Sequence, residues 1–205
     1  MKMTIVKQTV FIVDDDEPVR SALRLLMKSV GHEAKTFATG DEFLISCSSG
    51  VSGCLILDIR MPGMSGLELQ EKLHKRGVNI PIIFITGHGD VPMAVQAMKH
   101  GAMEFLQKPF REQDLVDRVN EALEKDLNTH KLALQGTEIE QRVTKLTPRE
   151  RQIMDMIVQG KASKVIAIDL GVSQRTVDTH RTRIMRKMQA RSLAELVQMA
   201  VRHQD

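Results

Sequence analysis

The sequence lacks any apolar run approaching the ~20 residues that a membrane-spanning helix needs. A membrane partner is therefore not expected. Cysteine is scarce: Cys47 and Cys54 are the only two in 205 residues. Nothing around them resembles a disulfide framework, so a reduced compartment is expected. Cys54 stands just before an apolar stretch and reads as a small core residue. Residues 1–7 lack the long apolar stretch of a signal peptide, which adds to the expectation of a cytoplasmic protein.

What is present fits an ordinary globular chain, with 42% hydrophobic and 27% charged residues. The length suffices for one large domain or two small ones. The net charge of +3 conceals an asymmetry. Residues 1–126 carry 15 Lys and Arg against 18 Asp and Glu, whereas residues 127–205 carry 14 against 8. An acidic half joined to a basic half suggests two domains, one of which meets a polyanion.

The acidic half alternates short apolar runs with amphipathic stretches. Strands are predicted at 8–14, 33–37, 53–58, 80–86 and 103–107. Helices are predicted at 17–30, 39–47, 65–76, 91–100 and 111–126. Strict alternation implies a parallel sheet with helices on both faces. Five such units in ~125 residues fit a small doubly wound α/β domain, because a closed barrel needs about 250.

Two aspartates close apolar runs. Val10-Phe11-Ile12-Val13 leads into Asp14-Asp15-Asp16, and Leu55-Ile56-Leu57 leads into Asp58. Open α/β sheets bind ligands at such strand ends. Carboxylates gathered there repel one another unless a cation sits among them, which suggests a Mg²⁺ site with one aspartate free for chemistry. The chemistry that fits is phosphoryl transfer to Asp58, with Asp15 as metal ligand and Asp14 beside it. Thr86 ends Ile82-Ile83-Phe84-Ile85, and Lys108 follows the strand at 103–107, so both would reach the same lip. A lysine there supplies a point charge for a phosphoryl oxygen. A tight loop would suit a cis bond between Lys108 and Pro109. The plainer alternative is capping of strand or helix ends, and it suits Asp16 and Glu17.

Residues 5–126 resemble the receiver domain of two-component response regulators. The resemblance rests on Val13-Asp14-Asp15-Asp16-Glu17-Pro18, on Leu57-Asp58 through Ser65-Gly66, on Ile85-Thr86-Gly87-His88-Gly89-Asp90, and on Lys108-Pro109-Phe110. Val91-Pro92-Met93-Ala94-Val95 narrows it to the FixJ-like subfamily. The resemblance implies a five-stranded sheet of order 2-1-3-4-5 and Asp58 as phosphoacceptor. It implies that Asp15, Asp58 and the backbone carbonyl of Arg60 hold Mg²⁺, supported by Asp14. Thr86 and Lys108 would engage the phosphoryl group, and Thr86 and Phe105 would form the switch. Phe105 departs from the tyrosine common in the family. Dimer contacts would fall on Val91, Val95, Lys99 and Arg118.

Residues 127–144 are polar with scattered leucines and read either as a helical extension or as a flexible linker. Gly136 weakens the helical reading by roughly 1 kcal/mol relative to alanine. Beyond them the pattern is all-helical. Thr147-Pro148-Arg149-Glu150 sets a cap, a proline at the first helical position and a glutamate at the third. That helix stops at Gly160, a short one spans 163–170, Ser173 caps a third at 174–188, and a last covers 192–202. The third is strongly basic, with Val177, Ile184 and Met188 as its core stripe. This is the layout of a recognition helix.

Residues 145–205 resemble the LuxR-type helix-turn-helix. The matching stretches include Leu146-Thr147-Pro148-Arg149-Glu150-Arg151, Leu170-Gly171-Val172-Ser173, Thr176-Val177, His180-Arg181 and Lys187-Met188. The resemblance puts Asp178, Thr179 and Thr182 toward base edges of double-stranded DNA. It puts Lys164, Arg175, Thr176, His180 and Arg183 on the backbone. Ser163 replaces the usual asparagine before Lys164, and Asp178 is an acid where a base is common. An acid repels phosphate but accepts from cytosine N4, so it would tune sequence choice. His180 has no metal-ligating neighbour at the required spacing.

The expected protein is a DNA-binding transcriptional regulator phosphorylated on Asp58 by a sensor histidine kinase, with phosphorylation promoting homodimerisation and promoter binding. RNA polymerase is a further candidate partner. The rival is an enzyme with an aspartyl-phosphate intermediate. Such enzymes carry a second acid two residues on, where this chain has Arg60. A metal-binding scaffold without phosphorylation is a third reading, against which Thr86 and Lys108 argue.

Overall fold

The computed structural model describes residues 8–47, 50–87 and 91–204. It divides into two compact units, one ending at His130 and the other beginning at Lys131. In the first, five strands form one parallel sheet: β1 (Thr9–Val13), β2 (Ala34–Phe37), β3 (Gly53–Asp58), β4 (Ile82–Thr86) and β5 (Glu104–Gln107). Their order is β2-β1-β3-β4-β5. The helices between them are α1 (Glu17–Ser29), α2 (Gly40–Ser46), α3 (Gly66–Lys75) and α4 (Val91–Lys99), and α5 (Glu112–Val143) follows β5.

Alternation along the strands builds two cores. Phe11, Val13, Leu55, Leu57 and Phe84 enter one; Val10, Ile12, Cys54, Ile56, Ile83 and Ile85 enter the other. Successive strand residues point to opposite faces, so a sheet covered on both sides needs the continuous apolar runs seen in β1, β3 and β4. Cys54 is fully buried, and burial pushes its thiol up to about 12.

α5 runs through residues 127–143 without a break. Gly136 does not interrupt it, because Ile139 and Val143 are buried in the core of the second unit. Tertiary packing of those two residues outweighs the glycine's cost of about 1 kcal/mol.

The second unit adds α6 (Pro148–Val158), α7 (Ser163–Asp169), α8 (Gln174–Met188) and α9 (Leu193–Gln204). Thr147 and Glu150 close a capping box at the start of α6, with Pro148 in its first turn. Gly171 takes φ +65° between α7 and α8, a conformation that a Cβ would strain. Ser173 then caps α8 by accepting from the Thr176 N–H. α7 has Ala162 as its N-cap and so no side-chain cap, because Ser163 falls one position inside the helix. Val177, Ile184 and Met188 are fully buried and pin one side of α8. No helix among the described residues is long and apolar enough to cross a membrane.

Candidate functional site

The strand register assembles the acidic cluster. Val13 pairs with Leu57 across β1 and β3, so Asp14 follows beside Asp58 at the C-terminal lip of the sheet. One carboxylate oxygen from each of Asp14, Asp15 and Asp58 lies within 4.8 Å of the other two. Asp14 and Asp58 are buried, and Asp15 is exposed. Burial pushes the Asp58 carboxyl up to about 6. Lys108 pulls it down, Asp14 pushes it up, the Ile59 N–H donating to Oδ1 at 2.9 Å pulls it down, and Asp15 adds a further push. Several hard oxygen donors packed this closely match the needs of a divalent cation.

Lys108 and Thr86 arrive from the neighbouring strand ends. Asp58 pairs with Ile85, so Thr86 lies one residue beyond at the end of β4, and it is buried. The Thr86 carbonyl accepts from the Lys108 N–H at 2.8 Å. Lys108 Nζ donates to Asp14 Oδ2 at 2.8 Å, not to Asp58. Asp14 is the best-tied acid of the three: Oδ1 accepts from the Asp16 N–H at 2.9 Å, and its carbonyl accepts from Arg20 Nη1 at 2.7 Å. The Lys108–Pro109 bond is cis.

The loop after Asp58 is held tightly. The Gly66 N–H donates to the Ile59 carbonyl at 2.9 Å. A Cβ on Gly66 would overlap the Asp58 carbonyl oxygen and lie 3.0 Å from Ile59 Cα. Glycine is thus required for α3 to start against the backbone that presents Asp58. Arg60 is exposed, and its Nη2 reaches Met93 Sδ at 4.0 Å.

Phe105 is half-buried on β5 and packs against the first core. Val95 and Lys99 are exposed on α4. Arg118 on α5 is half-buried and engaged by Glu104 at 3.2 Å and Glu121 at 2.9 Å. His88, Gly89, Asp90 and the side chain of Val91 lie outside the described residues.

In the second unit, Lys164, Arg175, Thr176, Asp178, Thr179, Thr182 and Arg183 are all exposed, and His180 is half-buried. Among the described residues, Arg175, Arg181, Arg183 and Arg186 form no ion pair. The charge of these four arginines is therefore left to solvent or to an anion. The Thr179 and Thr182 hydroxyls donate back to the carbonyls of Arg175 and Asp178 at 2.9 and 3.1 Å.

Comparison with known proteins matches residues 10–120 to the response regulator receiver domain and residues 144–200 to the LuxR family of bacterial regulatory proteins. The chain belongs to the response regulators. It is similar to nodulation protein W of Bradyrhizobium diazoefficiens, with 44% identity over 95% of this chain and 86% of that one. It is 43% identical to the transcriptional regulatory protein FixJ of Rhizobium meliloti, over 94% of this chain and 95% of that one. The solved structure of response regulator StyR superposes with a TM-score of 0.85 at 47% identity, covering 95% of this chain and 98% of that one. This response regulator thus joins a receiver domain to a LuxR-type DNA-binding domain.

Two polar centres of the regulator were not anticipated by motif. Buried Asp126 on α5 accepts through Oδ2 from Ser52 Oγ at 2.6 Å, the Gly53 N–H at 2.9 Å and Gln8 Nε2 at 3.0 Å. It ties α5 to the start of β3, at the sheet end opposite Asp58. Lys187 on α8 donates to the buried Glu150 carboxylate at 2.6 Å. An acid on an otherwise apolar helix face is the only sequence signal for Asp126. Glu150 is visible as a capping-box residue, but its lysine partner is 37 residues away.

Proposed function

We propose that this response regulator is phosphorylated on Asp58 and that the phosphoryl group controls how its basic helix α8 engages promoter DNA. The observation that carries the reading is one chain with both a three-carboxylate pocket and a basic helix, α8, whose arginines form no ion pair among the described residues. A sensor histidine kinase is the proposed donor. A carboxylate oxygen of Asp58 attacks the phosphorus of a phosphohistidine, the P–N bond breaks, and the imidazole leaves. Lys108, 2.8 Å from Asp14, is close enough to the pocket to shift toward a phosphoryl oxygen. Thr86 is the proposed hydroxyl contact, and Phe105 the ring that follows it.

The three clustered carboxylates suit a divalent cation; Asp15, Asp58 and the Arg60 carbonyl are proposed to hold Mg²⁺, with Asp14 in support. The ion supplies neutralisation of charge on the phosphoryl oxygens. Arg60, where an aspartyl-phosphate enzyme would carry an acid, favours a phosphoryl group that persists as a signal over rapid turnover. Self-phosphorylation from small donors and slow self-dephosphorylation are the only chemistry proposed.

On the receiver, Val91, Val95, Lys99 and Arg118 are proposed to bring two phosphorylated chains together in the cytoplasm. Pairing of two helix-turn-helix units on two half-sites multiplies their affinity. Asp178, Thr179 and Thr182 would read base edges, and Lys164, Arg175, Thr176, His180 and Arg183 would hold the backbone. RNA polymerase is the proposed downstream partner. In an acetyl phosphate experiment, Asp58→Ala should lose stimulated dimerisation and promoter binding. Stimulation that survives the substitution rejects the reading.

A further inference from the structure

α8 meets solvent along the side opposite its buried stripe. At about 3.6 residues per turn, Arg175, Thr179, Thr182 and Arg186 fall in a row facing away from Val177, Ile184 and Met188. All four are exposed. The arginines stand at the two ends of the row and are long, flexible and charged. The threonines at its centre are short, neutral and stiff at χ1. The middle of the row is thus held by the side chains least able to neutralise a phosphate.

Both threonine hydroxyls are already committed. Thr179 Oγ1 donates to the Arg175 carbonyl at 2.9 Å, and Thr182 Oγ1 to the Asp178 carbonyl at 3.1 Å. A hydroxyl has one proton to give, so neither can donate to a base as well, although each keeps lone pairs that accept. With the hydroxyl turned back along the helix, the γ-methyl is the branch of each threonine left for an outside partner. Asp178 beside them is exposed, and its carboxylate has no hydrogen-bond or ion-pair partner among the described residues. These three side chains therefore offer methyl groups and acceptors, and no donor.

In the major groove, thymine is the base that presents a methyl, and its partner adenine presents an amine donor at N6. A guanine edge presents acceptors alone and finds no donor in these three side chains. An A·T pair answers both branches of a threonine held this way, with methyl against methyl and amine toward lone pair. Stiffness adds to the match, because a side chain fixed before binding loses little freedom on contact.

We propose that Thr179 and Thr182 read thymine methyls, so that the base pairs beneath the centre of α8 are A·T. The inference rests on the reading of α8 as the DNA-contacting helix, and it specifies what that helix recognises.

The test starts from a site selected out of random duplex DNA by the full chain treated with acetyl phosphate and Mg²⁺. Each thymine of the site is replaced in turn by deoxyuridine, which lacks only the methyl, and affinity is followed by fluorescence anisotropy. Uracil should weaken binding about fourfold at one or more positions, the effect of burying one methyl group. Thr179→Val and Thr182→Val keep a methyl and lose the hydroxyl, and the thymine-over-uracil ratio should persist in both. Thr179→Ser and Thr182→Ser lose the methyl, and each should bring the ratio to about one at the position it reads. A selected site without thymine, or equal affinity for thymine and uracil throughout, overturns the proposal while leaving DNA binding by α8 intact. So does a ratio that survives the serine substitutions, which would assign the methyl contact elsewhere. Selection of no sequence at all rejects the reading of α8 itself, and the proposal with it.

Discussion

At the scale of single residues, the site depends on side chains that are absent as much as on those present. Gly66 is the clearest case, because its missing Cβ leaves room for the Asp58–Ile59 backbone. Neither the helix start nor the strand end can retreat, since the Gly66 N–H and Ile59 carbonyl are bonded at 2.9 Å. Gly66→Ala is expected to cost the receiver about 1–3 kcal/mol in urea unfolding. It should also slow phosphorylation by acetyl phosphate, because the displaced atoms carry Asp58. Unchanged stability in the alanine variant would show that the loop adapts freely. The three acids were legible as a group because each follows an apolar run. Their division of labour was less so. Lys108 is bound to Asp14, and that pairing emerges only when β5 is placed one strand from β4 and two from β3.

At the scale of elements, α6 and α8 are joined by one buried ion pair. Glu150 is 3% exposed, and burial alone would raise its carboxyl. The Lys187 ammonium, the Thr147 N–H and the Thr147 hydroxyl outweigh burial and hold it at about 2, below the usual 4.5. A depressed acid contributes stability that is complete above 4.5 and is lost as pH falls toward 2. Lys187 is itself 28% exposed, and solvent screening trims the gain to on the order of 1–2 kcal/mol. Glu150→Gln should therefore lower the melting temperature of the second unit at pH 7, and the gap to the natural protein should narrow between pH 4.5 and 2. A gap independent of pH would assign the effect to the capping box alone. Helix and strand positions were largely readable here because caps and alternation are local. The strand 53–58 and the helix 174–188 have the bounds expected of them. The end of α5 was not readable, because Ile139 and Val143 find their core only among residues far along the chain. Asp126 was equally silent, since its three donors lie at least 73 residues away.

At the scale of the whole molecule, charge separates the two tasks. The acidic receiver is proposed to gather cation and phosphoryl group, and among the described residues Arg175, Arg181, Arg183 and Arg186 of the basic unit form no ion pair. Phosphate contacts make DNA affinity fall with salt, each contact contributing about 0.9 to the logarithmic slope. Arg183→Ala should weaken binding to all promoter sequences alike and reduce that slope by about 1 in fluorescence anisotropy. A change of sequence preference instead would move Arg183 to a base edge. On the proposed reading, Asp58 makes this DNA affinity conditional. The chain should be incubated with acetyl phosphate and Mg²⁺, and the acyl phosphate then trapped by borohydride reduction and mapped by mass spectrometry. One phosphoryl group per chain, on Asp58 and lost on removal of Mg²⁺, is the expected result. Modification at Asp14 or Asp15, or none in the acidic cluster, would contradict it.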